Sequence, residues 1–306
     1  MRKVVVMILM AAFACNTQTV CSSSADEEIP IGNVPTENPN GNTDNSNNPD
    51  EHATYEVRTL ELLSNNNGKR IYGIVYLPEG KNGKMPTAIY SHGFGGTNST
   101  GSAYARSLAE HGYACYCFDF CGGSSSSRSD GKTTDMSIFT ERSDLEAVIV
   151  TIKQQEFTDT DNLFLIGASQ GGMVSAMTAA AHPEEIKGLM LLYPAFCIAD
   201  DAHHRFLSLE DVPATVNLMG MTIGRVYYER LFDFDTYATV TTYPKDVLIV
   251  HGDKDGTVPI SYSQNAISRY PSAILETLSG AGHGFYGDNQ TKATNYILDY
   301  ISNHIK

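Results

Sequence analysis

The sequence predicts an α/β domain, a mostly parallel sheet with helices on both faces. Three observations predict it. From residue 54 onward, short apolar runs alternate with longer runs of helical spacing, the pattern of successive βαβ units. The first two strand-like runs flank Asn65-Asn66-Asn67-Gly68, a hairpin signal that adds an antiparallel edge. The rhythm then breaks once, after the sixth strand, where about 50 residues separate Tyr193 from Asp246.

The elements follow in order. Strands are predicted over Tyr55–Leu63 and Arg70–Leu77, closed by Pro78 and Gly80, and over Thr87–Ser91. A helix over Ser102–His111 carries Tyr104, Ala105, Leu108 and Ala109 and stops at Gly112. A strand over Tyr113–Phe120 precedes a helix over Thr140–Gln155, which places Leu145, Val148, Ile149 and Ile152 on one face. The strand Asn162–Gly167 leads into a helix over Gln170–Ala181 that ends before Pro183. Strands at Gly188–Tyr193, Asp246–His251 and Ala273–Leu278 and helices at Ser261–Arg269 and Thr291–Ile305 complete the pattern. The long gap, about 195–243, contains Met219, Met221, Tyr227, Tyr228, Phe232, Phe234 and Tyr237. Such excess length in a compact domain reads as a lid over the carboxyl ends of the strands.

Charge divides the chain. Its 306 residues carry a formal net charge of −14, which argues against nucleic acid or an anionic membrane surface as a partner. Residues 22–53 hold seven acids and no Lys or Arg, and are rich in Asn, Pro, Gly and Ser. They cannot bury enough apolar surface to offset ordering, so residues 15–53 read as a disordered acidic linker. Residues 54–306 carry 19 basic and 28 acidic side chains, a net of −9. Before the linker, Arg2-Lys3, the apolar run Val4–Ala14 and the small residues of Ala12-Phe13-Ala14 read as a signal peptide over residues 1–14. The apolar run is about half the ~20 residues that a spanning helix needs. Cys15 follows at once, in the setting of a bacterial lipobox, and is the candidate lipidation site; plain secretion after Ala14 is the competing outcome, and Cys21 is a second candidate. The expectation is an exported protein, anchored as a membrane lipoprotein, or else periplasmic or secreted.

The chemistry concentrates at Gly167-Ala168-Ser169-Gln170-Gly171, a G-x-S-x-G element between an apolar strand and an Ala-rich helix. That context makes Ser169 a candidate nucleophile on a tight elbow. A serine hydroxyl needs a base, and the expected chain order is Ser, acid, His. After the strand ending near His251 come Asp253 and Asp255; Asp255, followed by Gly-Thr-Val-Pro, is the chosen acid and Asp253 the alternative. After the last strand, His283 stands among Gly280, Gly282 and Gly284 and is the candidate base. The oxyanion donors expected are the backbone N–H groups of Gln170 and of Phe94, in His92-Gly93-Phe94-Gly95-Gly96. His92 reads as a support for that loop.

Other patterns are weaker. Gly131-Lys132-Thr133 lacks the earlier glycine and the preceding strand of a P-loop, and Gly93-Phe94-Gly95 lacks the third glycine of a dinucleotide fingerprint. Cys115, Cys117 and Cys121 have no completing zinc spacing, and Cys115 and Cys117 read as buried on one strand face. A disulfide involving Cys121 or Cys197 stays open for an exported chain. His203-His204 reads as solvent-facing.

These residues resemble the α/β-hydrolase superfamily across about 54–306. The runs His92–Gly96, Phe118-Asp119-Phe120-Cys121-Gly122-Gly123-Ser124, Gly167–Gly172 and Asp255-x-x-Val258-Pro259, with the lid, resemble bacterial cinnamoyl/feruloyl esterases and related serine esterases. The resemblance implies an α/β-hydrolase fold with a lid after the sixth strand, a Ser169–Asp255–His283 triad, Phe94 and Gln170 as oxyanion donors, and no metal or cofactor. The expected function is hydrolysis of small-molecule or polysaccharide-linked carboxylic esters, feruloyl/cinnamoyl or short-acyl. An aminopeptidase-like serine peptidase of the same fold is the alternative, although no acidic pair is clearly dedicated to a peptide amino group and Asp200-Asp201 in the lid only imitates one. A non-enzymatic binding protein that kept the fold is the third reading, and the complete triad argues against it.

Overall fold

A computed structural model of the protein describes residues 54–305. The signal segment 1–14, Cys15 and the linker 15–53 lie outside the described residues. The chain begins with β1 (Val57–Asn66), β2 (Lys69–Pro78), β3 (Met85–Ser91), α1 (Ser102–Glu110) and β4 (Ala114–Phe118). Next come α2 (Ile138–Lys153), β5 (Thr158–Ala168), α3 (Gln170–Ala181) and β6 (Gly188–Leu192). The insertion contributes α4 (Ile198–Arg205), β7 (Thr215–Leu218), β8 (Met221–Gly224) and α5 (Thr236–Val240). The chain closes with β9 (Val247–Gly252), α6 (Ser261–Ile267), β10 (Ala273–Leu278) and α7 (Asp288–His304).

Eight strands form one sheet in the order β1-β2-β4-β3-β5-β6-β9-β10. Only the β1–β2 and β2–β4 pairs are antiparallel; the other five are parallel. The expected α/β-hydrolase sheet is therefore present, with its antiparallel hairpin at the edge. The opening turn is tighter than expected. Pairing runs to Asn66 opposite Lys69, which leaves a two-residue loop of Asn67 and Gly68 with φ of 50° and 88°. A type I′ turn requires positive φ at both central positions, and Asn followed by Gly meets that at little cost.

The alternation of side chains along the strands divides the core in two. Ile89, Leu163, Leu165, Leu189 and Leu191 pack toward Leu145 and Val148 of α2 and Met173 of α3. Their neighbours Tyr90, Phe164, Ile166 and Met190 pack toward Leu108 of α1 and Ile297 and Ile301 of α7. This is the period-2 rule acting on a sheet buried on both faces. Cys115 and Cys117 share the second face, and they, Cys121 and Cys197 are all free and buried. The insertion is not irregular. It holds two short helices and a hairpin, β7–β8, whose strands are too brief for periodicity to reveal. No helix of the described residues is long and apolar enough to cross a membrane.

Helix α2 starts two residues before the position that apolar spacing indicates. Ser137 accepts the Thr140 N–H, and the Thr140 hydroxyl accepts the Ser137 N–H, forming a capping box. Thr140 thus sits within the first turn rather than at its start. Ser137→Ala should lower stability by about 1 kcal/mol, read as a fall in the urea midpoint at unchanged m-value.

Candidate active site

Ser169 lies between β5 and α3 with φ of 51° and ψ of −119°. Its neighbours have to be small because backbone crowds the turn. A Cβ on Gly167 would run into the Gly171 carbonyl, and one on Gly171 into the carbonyls of Ser91 and His92. One on Gly172 would sit 3.0 Å from Pro194. The glycines of the G-x-S-x-G element are therefore packing requirements of the elbow. Its result is a serine raised at the carboxyl end of the sheet, at the start of α3.

The structure brings the three expected side chains into one hydrogen-bonded chain. Ser169 Oγ is 2.9 Å from His283 Nε2, and His283 Nδ1 is 2.7 Å from Asp255 Oδ2. The other carboxylate oxygen, Oδ1, accepts N–H groups from Thr257 at 2.9 Å and Val258 at 2.8 Å. Burial pushes the Asp255 carboxyl up, but these backbone donors and His283 outweigh it and hold it below its ordinary value. Asp253 takes a different role. It accepts the Gly280 N–H at 2.7 Å and ties the acid loop to the loop carrying His283.

Phe94 and Gln170 both line the cavity that holds Ser169. The Gln170 N–H is at the first turn of α3, where backbone donors have no intrahelical acceptor. His92 braces the Phe94 loop. Its Nδ1–H donates to Gly93 O at 2.8 Å, and its Nε2 accepts the Phe120 N–H at 3.1 Å. Burial holds its pKa down. Asp119, wholly buried, binds the same two loops by accepting the Asn98 N–H, the Asn98 amide and the Arg128 N–H.

Two residues join this site without a motif: Glu141, which the sequence does not single out, and Tyr227, which it marks only as one of the lid's aromatics. The Gln170 amide Nε2 donates to Glu141 Oε2 at 2.8 Å, and its Oε1 accepts the Tyr227 hydroxyl at 2.7 Å. Glu141 from α2 and Tyr227 from the insertion are both buried. No motif marks them, since each reads as an ordinary position in its element. His251 of β9 also contacts Asp255, at 3.1 Å. The nearest signal for it is its place directly before the acid loop.

Two cavities meet at Ser169. One, of about 390 Å³, is walled by Phe94, Ala195, Ile198, Leu218, Tyr227 and Tyr228, with Asp201, His204 and Arg205 also contributing. His204, read from sequence as merely solvent-facing, therefore borders the site. The other cavity, of about 430 Å³, is bordered by His283 and by the polar side chains of Ser99, Ser102, Tyr286 and Gln290. Met219, at the tip of the β7–β8 turn with φ of 49°, borders both. Among the described residues no group of three or more His, Cys, Asp or Glu side chains is placed to hold a metal ion.

With this sheet and this serine elbow, the chain belongs to the α/β-hydrolases: residues 86–245 match the family described as serine aminopeptidase, S33. Among solved structures it is similar to Est1E from Butyrivibrio proteoclasticus with ferulic acid bound. That match has 27% identity and a TM-score of 0.71, covering 79% of this chain and 99% of the other. It is also similar in fold to an esterase from Exiguobacterium antarcticum, at 20% identity and a TM-score of 0.59, covering 79% of this chain and 100% of the other. No curated protein matches the chain in sequence.

Burial lifts the Glu141 carboxyl well above the carboxylate range; the Gln170 hydrogen bond opposes this and Asp144 adds to it. The folded protein therefore keeps a proton on Glu141 that the unfolded chain loses above about pH 4.3. Stability contributed at this site falls as pH rises from there toward the folded pKa. Glu141→Gln removes the titration, so its melting temperature should gain on that of the wild type between about pH 4 and pH 8. A difference that stays flat with pH would show Glu141 to be ionised.

Proposed function

We propose that this chain is a serine-dependent hydrolase of carboxylic esters, of feruloyl/cinnamoyl or short-acyl type. The observation that carries the reading is the Ser169–His283–Asp255 hydrogen-bonded chain opening onto a largely apolar cavity. His283 takes the proton of Ser169 as Oγ attacks the ester carbonyl, while Asp255 orients the imidazole and stabilises its cation. The carbonyl oxygen, now an anion, is held by the N–H groups of Phe94 and Gln170. His283 then protonates the departing alcohol, and water, activated by the same histidine, releases the acid. Each residue's protonation state is restored at the end of the cycle, and no metal or cofactor enters any step.

The two cavities supply a division of the substrate. The departing alcohol must lie on the side from which His283 delivers its proton. His283 borders the more polar of the two cavities and not the other, so the alcohol belongs in the former and the acyl group in the latter. Tyr227, Tyr228 and Phe94 suit a flat aromatic acid, and ferulic acid is the ligand of the similar Est1E structure. The insertion acts as a lid in this reading, because its residues form most of the acyl wall. The hydroxyl- and amide-bearing rim of the other cavity suits a polar alcohol such as a sugar. The N-terminal sequence supports export, with Cys15 as the candidate lipid anchor.

A serine aminopeptidase is the second reading, favoured by the description of the matching family. An aminopeptidase needs negative charge to hold the substrate ammonium. Asp201 borders the acyl cavity, but Arg205 borders it too, so the two together bring no net negative charge to it.

Purified protein should hydrolyse p-nitrophenyl acetate and methyl ferulate much faster than amino-acid p-nitroanilides. Ser169→Ala should lower turnover by roughly 10⁴–10⁶-fold and abolish labelling by a fluorophosphonate probe. Near wild-type turnover in Ser169→Ala would sink the assignment, and a preference for the anilides would favour the peptidase.

A further inference from the structure

His251 is fully buried near the end of β9 and takes no part in the proton relay described above. Its ring is nevertheless fully engaged. Nε2 lies 3.1 Å from Asp255 Oδ2 and 3.0 Å from Val258 O. Both are acceptors, so Nε2 carries the proton. Nδ1 then accepts the hydroxyl of Ser263, from α6, at 2.7 Å. Ser263 is itself fully buried and holds the ring from its Nδ1 side, while the two acceptors at Nε2 fix the tautomer. Burial holds the His251 pKa down, although the Val258 carbonyl and Asp255 pull it up. A neutral ring with a single N–H fits all three contacts.

Asp255 Oδ2 therefore receives two imidazole donors, His283 at 2.7 Å and His251 at 3.1 Å, while Oδ1 receives two backbone donors. We propose that His251 is a positioning residue of the relay: its Nε2–H holds Asp255 Oδ2 in line with His283 Nδ1 and shares that oxygen's negative charge. The inference rests on the serine-hydrolase reading of the same site. Two effects follow. Rotation of the carboxylate away from His283 would give up the His251 N–H as well, leaving that donor to the Val258 carbonyl alone. Part of the carboxylate's charge is also spent on His251, so it stabilises the His283 cation less than an unshared carboxylate would. The titratable groups facing this carboxylate are His251 on β9, His283 on the loop after β10 and Tyr193 at the end of β6, whose hydroxyl feels the Asp255 charge.

The test is the pH profile of kcat/KM for p-nitrophenyl acetate in wild type, His251→Phe, His251→Gln and Ser263→Ala. In His251→Phe the carboxylate loses a donor and holds the His283 cation more strongly. The acid limb should move to higher pH by about half a unit or more, and the plateau should fall about tenfold, in kcat rather than KM. His251→Gln restores an N–H donor and should return the limb toward wild type. Ser263→Ala removes the hydroxyl that holds the ring from its Nδ1 side and should move the limb in the same direction by less. A folded His251→Phe protein with an unshifted acid limb overturns the proposal. If that variant does not fold, an unshifted limb in Ser263→Ala does so. Either result alongside an inactive Ser169→Ala leaves the serine-hydrolase reading standing and removes only the role of His251.

Discussion

The site depends on one backbone conformation, that of Ser169. A non-glycine residue at φ of 51° and ψ of −119° costs on the order of 1–3 kcal/mol and persists only where its surroundings over-determine it. Here they do. The Ser169 N–H donates to Leu192 O, and the Ser169 carbonyl accepts N–H groups from Gly172, Met173 and Ala195. These contacts fasten the elbow to the end of β6 as well as to its own helix. The glycines at 167, 171 and 172 let β3, the turn and Pro194 approach closely enough for those bonds to form. The strain lifts the hydroxyl out of the sheet and points the first turn of α3 at the same space. The raised hydroxyl of Ser169 and the free N–H of Gln170 thus follow from a single turn.

That turn is held from its flank by a buried polar chain. Glu141, the Gln170 side chain and Tyr227 connect α2, the residue after the nucleophile and the insertion. A buried amide left with unpaired groups is costly, so Gln170 is held only while both partners are in place. The insertion is therefore more than a cover. Its Tyr227 fixes the side chain of the residue that follows Ser169, and the same ring forms part of the wall of the apolar cavity. The shape of that cavity and the setting of Gln170 are coupled through one side chain.

The sequence is legible where local chemistry and structure coincide. Ser169 could be found because a tight turn demands glycines at set offsets, and His283 because glycines surround it after the last strand. The middle of the sheet was legible because β3, β4, β6 and β9 are buried on both faces and read as apolar runs. Glu141 was not, because a carboxylate within a helix reads as solvated until its neighbours are known. Tyr227 was hidden in an insertion with no repeating period, and its partner lies 57 residues away. The β7–β8 hairpin escaped notice for a related reason: four-residue strands are shorter than any window in which alternation can be counted. What stayed out of reach was therefore the long-range pairing of polar groups.

Three histidines make the same point at finer scale. His92, His251 and His283 are the same side chain near one serine, yet only His283 can exchange a proton with it. His92 and His251 are almost wholly buried, each with both ring nitrogens committed to groups that do not ionise in turn at neutral pH: backbone, the Ser263 hydroxyl and a carboxylate already held ionised. Protonating His92 would set its ring against the Phe120 N–H, and protonating His251 would place a charge in a fully buried site. The His283 side chain is 22% exposed at the polar cavity, and its Nε2 faces a hydroxyl that can be consumed and regenerated. A positive charge on this ring is met by Asp255 on one side and is not sealed from solvent on the other. Proton carrier and brace differ in what the second nitrogen faces, and that is decided by the turn that raises Ser169.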